Sequence, residues 1–227
     1  MSPPAGALLS IWRHTSSGAG GSWVVPDGCL DLIGRQAPGQ APQWTVSNLM
    51  DQSIWIDAPE GQRYVGLRMR AGAQVDRARL VASVRGRELD DTPSLLAQIE
   101  AAVRLDARVV EALQALSAER SVQAATAQLG VSERTLQRLL TPATGRSPVY
   151  WKRLARLRQT ALALRQANAL ADLAHDHGFT DQAHMSRELR AWLGVSPRQL
   201  QQQDSLLRLL GEPGFGNEGD APALENQ

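Results

Sequence analysis

Residues 121–140 read SVQAATAQLGVSERTLQRLL, and this stretch decides how the C-terminal half of the chain is built. It divides into a short helix, a Gly130-Val131-Ser132 turn and a second helix. Gly130 suits the left-handed conformation that ends a helix, Val131 can plug the angle between two helices, and Ser132 can cap the second. Leu136, Leu139 and Leu140 repeat at helical spacing and face inward. Glu133, Arg134, Gln137 and Arg138 are left on the exposed start of the second helix, where a helix-turn-helix unit meets the major groove. Arg and Gln are the side chains that read guanine and adenine edges through paired hydrogen bonds. Taken alone, a Gly-Val-Ser turn also occurs in helical hairpins that never touch DNA.

The arrangement recurs. Residues 169–194, ALADLAHDHGFTDQAHMSRELRAWLG, give a short helix carrying Leu170, Leu173 and Ala174, then a turn at Gly178-Phe179-Thr180. A second helix follows, with Gln182, His184 and Arg187 at its exposed start. Between the units Ser147-Pro148 is a cap followed by proline, opening a long amphipathic helix to about Gln166. Trp151, Leu154, Leu157, Ala161, Leu162 and Leu164 face inward; Lys152, Arg153, Arg156 and Arg165 face largely outward. At about 1.5 Å per residue this helix spans roughly 30 Å. It is long enough to hold two recognition helices (about 132–140 and 181–192) near the roughly 34 Å of one DNA turn.

Charge follows the same division. The chain of 227 residues has a formal net charge of +1. Residues 121–200 hold 11 basic against 5 acidic side chains, whereas residues 1–120 hold 12 against 13 and residues 201–227 hold 1 against 5. A basic block is the footprint of a module that meets polyanions; the competing reading is a solvated helical surface.

At these residues the sequence resembles the AraC/XylS family of bacterial transcriptional regulators. The resemblance covers roughly 105–202 and is most specific in GFTDQAHMSRELRAWLGVSPRQL, residues 178–200. It implies base reading by Arg134, Gln137 and Arg138 in the first unit and by Gln182, Ala183, His184 and Arg187 in the second. Phosphate contacts are expected at Ser132, Lys152, Arg153 and Thr180. Thr126, Leu140, Met185 and Leu189 depart from the family pattern as core adjustments, and Ala183 offers a base only a methyl contact.

Upstream, residues 1–91 carry four of the six Trp (Trp12, Trp23, Trp44, Trp55) and short apolar runs separated by turn signals such as Pro26-Asp27-Gly28. In residues 64–70, Val65, Leu67 and Met69 alternate with Arg68 and Arg70, which is the period of a strand. PDGCLDLI (26–33) and GLRMRAG (66–72) resemble the cupin-like sensory domain that precedes some AraC-type DNA-binding domains, which implies a small β-barrel. Cys29, Asp31, Trp44, Arg68 and Arg70 are its candidate ligand-pocket residues. A lone cysteine such as Cys29 is most often a small buried hydrophobe instead of a sensor, and the arginines are equally readable as outward strand residues. Residues 92–104 suggest a linker or dimerisation helix, with Thr92-Pro93 at its start; a second helix begins near Asp106. Residues 211–227, GEPGFGNEGDAPALENQ, suggest a disordered acidic tail.

The expected fold class is therefore α+β: an N-terminal small cupin-like β-barrel, then an all-α domain at 105–203 with two helix-turn-helix units joined by a long helix. The expected partners are double-stranded DNA, an unidentified small-molecule effector or protein signal, and RNA polymerase if the protein activates; a homodimer stays open. No membrane span or signal peptide is evident, so the cytoplasm is expected. Neither metal nor cofactor is expected: residues 1–120 contain a single histidine, His14, too few for a metal-dependent cupin reaction, and His175 and His177 point to different helix faces. The alternative is a cupin-type small-molecule-binding or catalytic protein with an accessory DNA-binding domain.

Overall fold

A computed structural model describes residues 6–18 and 20–217. The β-rich part comprises β1 (Leu8–Thr15), β2 (Gly20–Val24), β3 (Leu30–Gln36), β4 (Gln43–Val46), β5 (Ile54–Ala58), β6 (Arg63–Met69) and β7 (Gln74–Val75), followed by α1 (Arg77–Val84), α2 (Thr92–Ala102) and β8 (Val103–Arg104). Strands β1, β6, β3 and β4 form one antiparallel sheet in that order, and β2 pairs with β5 as a separate ribbon. Pairing is set by alternation: Leu32 lies opposite Leu67 and Val46, so one face of the sheet is continuously apolar. That face carries Val65, Leu67 and Met69, as their spacing requires, and packs on Leu80 and Val84 of α1 and Leu95 and Ile99 of α2.

Residues 92–104 are thus part of the first core and not a linker. Helix α2 buries Leu95, Ile99 and Ala102 there, and β8 closes the unit by pairing antiparallel with β7. Helix α1, capped by the Asp76 carboxylate on the Arg79 N–H, lies within a stretch whose turn signals suggest only strands.

The helical part comprises α3 (Ala107–Ala118), α4 (Val122–Leu129), α5 (Glu133–Thr144), α6 (Pro148–Ala163) extended by a 3-10 turn at Leu164–Gln166, α7 (Leu170–Asp176), α8 (Gln182–Leu193), α9 (Pro197–Gln201) and α10 (Asp204–Gly211). Its core gathers on α6, whose Trp151, Leu154, Leu157 and Ala161 are fully buried. The amphipathic α10 adds Leu206, Leu207 and Leu210 to this core.

The two parts are tightly joined. Val25 and Ala71 of the β-rich part belong to the helical core, and Trp23 and Leu49 pack against it. Past α10, Phe215 is buried with its ring edge-on to Trp151 at 4.9 Å, and its N–H donates to the Asp27 carbonyl at 2.8 Å. The disordered tail expected from residue 211 is corrected for 211–217: this segment holds an apolar side chain that the interface buries. Residues 218–227 lie outside the described residues.

Candidate nucleic-acid interface

Helix α4 opens at Ser121, whose hydroxyl accepts from the Ala124 N–H at 3.0 Å, and ends at Gly130 in the left-handed region with φ +64°. Ser132 then caps α5, accepting from the Thr135 N–H at 3.1 Å. Leu136 and Leu140 are buried, which turns Arg134, Gln137 and Arg138 to solvent. Val131 stays 37 % exposed instead of plugging the angle; Ala125, Leu136 and Leu140 supply the packing below it. Gln137 donates to the Thr141 hydroxyl at 2.8 Å, and Arg138 borders a depression that Asp106 and Glu111 also line.

The second unit repeats the geometry. Helix α7 ends before Gly178, again left-handed with φ +71°, and Asp181 caps α8 by accepting from the His184 N–H at 2.7 Å. Gln182, Ala183 and Arg187 are exposed. His184 is half-buried: its ring stands edge-on to Phe179 and its Nδ1 lies 3.4 Å from the Thr180 N–H, so it supports the turn as well as facing outward. Thr180 is exposed beside it.

The spacer runs to Gln166, as the sequence pattern suggests, and closes on a 3-10 turn. Helix α6 has 16 residues, about 24 Å, and the three-residue 3-10 turn brings the rod to about 30 Å. Two of its expected phosphate contacts are engaged within the protein. The Lys152 ammonium donates to the carbonyls of Leu116 (3.2 Å) and Glu119, capping the C-terminal end of α3, and burial lowers its pKa. Its expected phosphate role gives way to this capping role. Arg153 is held by the Glu188 carboxylate, Nε to Oε1 at 2.5 Å, and Arg156 binds the second oxygen of the same group at 2.7 Å. A groove of about 740 Å³ lies beside these pairs, between the start of α4, α6 and α8. Ser132 remains an exposed helix cap, available to a phosphate.

The five candidate ligand-pocket residues do not share one cavity. Arg68 sits on the sheet face opposite Val65, Leu67 and Met69, but that face meets the helical part and not water. Its guanidinium binds Asp27 at 2.8 Å and Asp31 at 3.1 Å, and donates to the Pro213 carbonyl at 3.0 Å. Asp31 also accepts from the Trp12 indole N–H at 2.9 Å. Both are therefore corrected: the anion that Arg68 recognises is the protein's own pair of carboxylates. Arg158 of α6, fully buried, reaches the same cluster and donates to the carbonyls of Pro26 (3.4 Å) and Glu212 (2.7 Å). Burial, reinforced by Asp31, raises the Asp27 pKa to about 6 against the pull of Arg68.

Cys29 is buried beside this cluster, and burial together with Asp27 pushes its thiol well above the usual range, which removes the reactive thiolate. Trp44 lies on the other face of the sheet, in the first core, donating to the Arg87 carbonyl at 3.2 Å. Arg70 alone borders an open cleft, about 530 Å³, between the β-rich part and the α5–α6 turn; Arg77 and Arg146 line it too. Among the described residues no group of three or more His, Cys, Asp or Glu could hold a metal, and no helix is long and apolar enough to cross a membrane.

One contact set had no sequence signal. Residues 47–53 of the β-rich part reach both helix-turn-helix units. Arg146, just past the C-terminal end of α5, donates to the Leu49 carbonyl at 3.2 Å and pairs with Asp51 at 2.9 Å. Tyr150 donates to the Met50 carbonyl at 3.0 Å, and the Ser53 N–H donates at 2.7 Å to the Trp192 carbonyl in the last turn of α8. The Tyr150 and Trp192 rings meet at 5.4 Å.

A helix-turn-helix domain family matches residues 125–203. No curated protein matches the chain. Among solved structures, the C-terminal domain of AraT, a response regulator from Geobacillus stearothermophilus, is 23% identical over 44% of this chain and 87% of its own, with a TM-score of 0.40. ToxT from Vibrio cholerae O395 is 8% identical over 88% of this chain and 96% of its own, with a TM-score of 0.43. The capped helices and left-handed turns that recur in duplicate fall within the stretch that matches this helix-turn-helix domain family, residues 125–203.

Proposed function

We propose that α5 and α8 enter successive major grooves on one face of DNA, with Arg134, Gln137 and Arg138 reading one half-site and Gln182, Ala183, His184 and Arg187 the other. We further propose that the β-rich part, residues 1–104, receives a signal and passes it to both units. The observation that carries the second step is the 47–53 segment, which hydrogen-bonds near the C-terminal ends of both recognition helices. A shift of this segment alters the spacing of α5 and α8 together, and two-groove binding is sensitive to that spacing. The cleft beside it, lined by Arg70, Arg77 and Arg146, is where a small-molecule effector would bear on the joint. The reading makes the protein a regulator and not an enzyme; Asp27, Asp31 and Arg68, the polar groups that a buried reaction centre would use, neutralise one another.

The test is selection of bound sites from random duplex DNA with the full chain, followed by Arg134→Ala and Arg187→Ala. Each variant should lose about 1–3 kcal/mol at a few base pairs of one half-site, the two half-sites lying about one helical turn apart. Equal loss on every sequence would refute the base-reading assignment.

A further inference from the structure

We propose that Glu188 is a specificity-determining residue, a carboxylate on the second recognition helix that withholds Arg153 and Arg156 from the DNA backbone. The inference rests on the DNA-binding reading above and goes beyond it, because it assigns a role to a residue that touches no base.

Glu188 is 7 % exposed and lies under α8, and its two oxygens hold two guanidiniums from α6, Arg153 at 2.5 Å and Arg156 at 2.7 Å. Arg156 also donates to the Gly178 carbonyl at 3.1 Å and stacks over Phe179 at 4.4 Å, so it fixes the turn of the second unit from below. Both arginines open onto the groove of about 740 Å³, which Arg120, Lys152 and Arg187 also line. Among the described residues lining that groove, Glu188 is the only carboxylate against five cationic side chains. Arg187, an expected base reader, shares the groove, so the groove lies on the DNA-facing side.

Phosphate contacts supply affinity for every duplex alike, whereas discrimination comes from base edges. A cationic groove beside a recognition helix therefore strengthens binding without regard to sequence. Glu188 lets α6 keep two arginines that position α8 while cancelling their charge toward the backbone. Removing the carboxylate releases Arg153 first, since its side chain is already 45% exposed against 18% for Arg156.

The experiment compares the full chain and Glu188→Gln on a selected site and on a scrambled duplex across a salt series. Glu188→Gln should bind the scrambled duplex more tightly, with the slope of log Kd against log salt steeper by about 0.9, one phosphate contact. The ratio of specific to scrambled affinity should fall. Adding Arg153→Ala to Glu188→Gln should remove the extra slope, and Glu188→Asp, which keeps the charge, should retain the wild-type slope. Should Glu188→Gln unfold below the assay temperature, Glu188→Met, of similar volume, takes its place. A variant that keeps the wild-type slope and ratio, or that weakens both duplexes alike, overturns the proposal, as does Glu188→Asp behaving like Glu188→Gln. Failure of the wild type to select any sequence would instead overturn the DNA-reading assignment on which this rests.

Discussion

Two glycines with the same backbone conformation separate the cost of a left-handed turn from the cost of the contact between the two parts of the chain. Gly28 has φ +74° and Gly39 has φ +73°. A Cβ on Gly39 would meet nothing within 4 Å, whereas one on Gly28 would lie 2.7 Å from Phe215 Cβ, 2.9 Å from Trp151 Cζ3 and 3.0 Å from Leu154 Cδ2. A left-handed alanine costs about 1–2 kcal/mol, offset by roughly 0.4–1 kcal/mol from the stiffer unfolded chain, and both terms are common to the two sites. Gly39→Ala should therefore destabilise by about 1 kcal/mol. Gly28→Ala adds a clash with three buried side chains, for which overpacking of about 1–3 kcal/mol is usual, so its total should be about 2–4 kcal/mol. Urea unfolding of both variants and the wild type, followed by Trp fluorescence with the slope checked for constancy, measures the difference. Equal losses would refute the reasoning, because the excess at Gly28 exists only if Phe215, Trp151 and Leu154 close over the Pro26-Asp27-Gly28 turn in solution.

Three further outcomes follow from the same contacts. Phe215→Ala removes a buried ring from the joint and should cost about 3–5 kcal/mol in urea unfolding; a loss under about 1 kcal/mol would return residues 212–217 to the status of a tail. Asp27, raised by burial from 3.8 to about 6, binds its proton more tightly folded than unfolded, so its contribution is greatest below about pH 4 and declines as pH rises through about 6. The stability of the wild type minus that of Asp27→Asn, measured from pH 4 to 7, should accordingly fall with rising pH, and a rise would refute the assignment. Lys152→Met should lower stability by about 1 kcal/mol through the lost cap on α3 while leaving the salt slope of DNA binding intact, whereas a phosphate contact would flatten that slope by about 0.9.

The helical part was legible because its signals are local. Gly130, Ser132, Ser147 and Pro148 each act on backbone within a few residues, and each takes the predicted cap, turn or start. The alternation of Val65, Leu67 and Met69 likewise gives the buried face of β6 correctly. Alternation says which residues share a face and not what that face meets, so Arg68 looked like a ligand or surface residue when the partner of its face is α6 and the 212–217 segment. Composition misled in the same way at the C-terminal end. Gly, Pro and acidic residues dominate 211–217, yet one Phe among them finds a slot against Trp151, and a single buried ring outweighs several neutral loop residues. Helix α10 had a readable stripe in Leu206, Leu207 and Leu210 that the resemblance, ending near residue 202, passed over.

The basic block of residues 121–200 consequently means less than its count. Of its 11 cationic side chains, Arg146 pairs with Asp51, Lys152 caps α3, Arg153 and Arg156 share Glu188, and Arg158 is buried under the joint. What remains toward solvent includes Arg134, Arg138 and Arg187, the side chains proposed to read bases, together with Arg190 and Arg198. Near the long spacer helix, cationic charge holds the two units and the β-rich part together, and on α5 and α8 it is left to solvent, where the proposed base reading needs it. Sequence cannot divide one population from the other, because the division is made by carboxylates such as Asp51 and Glu188, 95 and 32 residues from the arginines they neutralise. The basic excess of residues 121–200 thus points to the proposed polyanion partner for the right domain, but the surface offered to it is set by which arginines the protein's own acids leave uncovered.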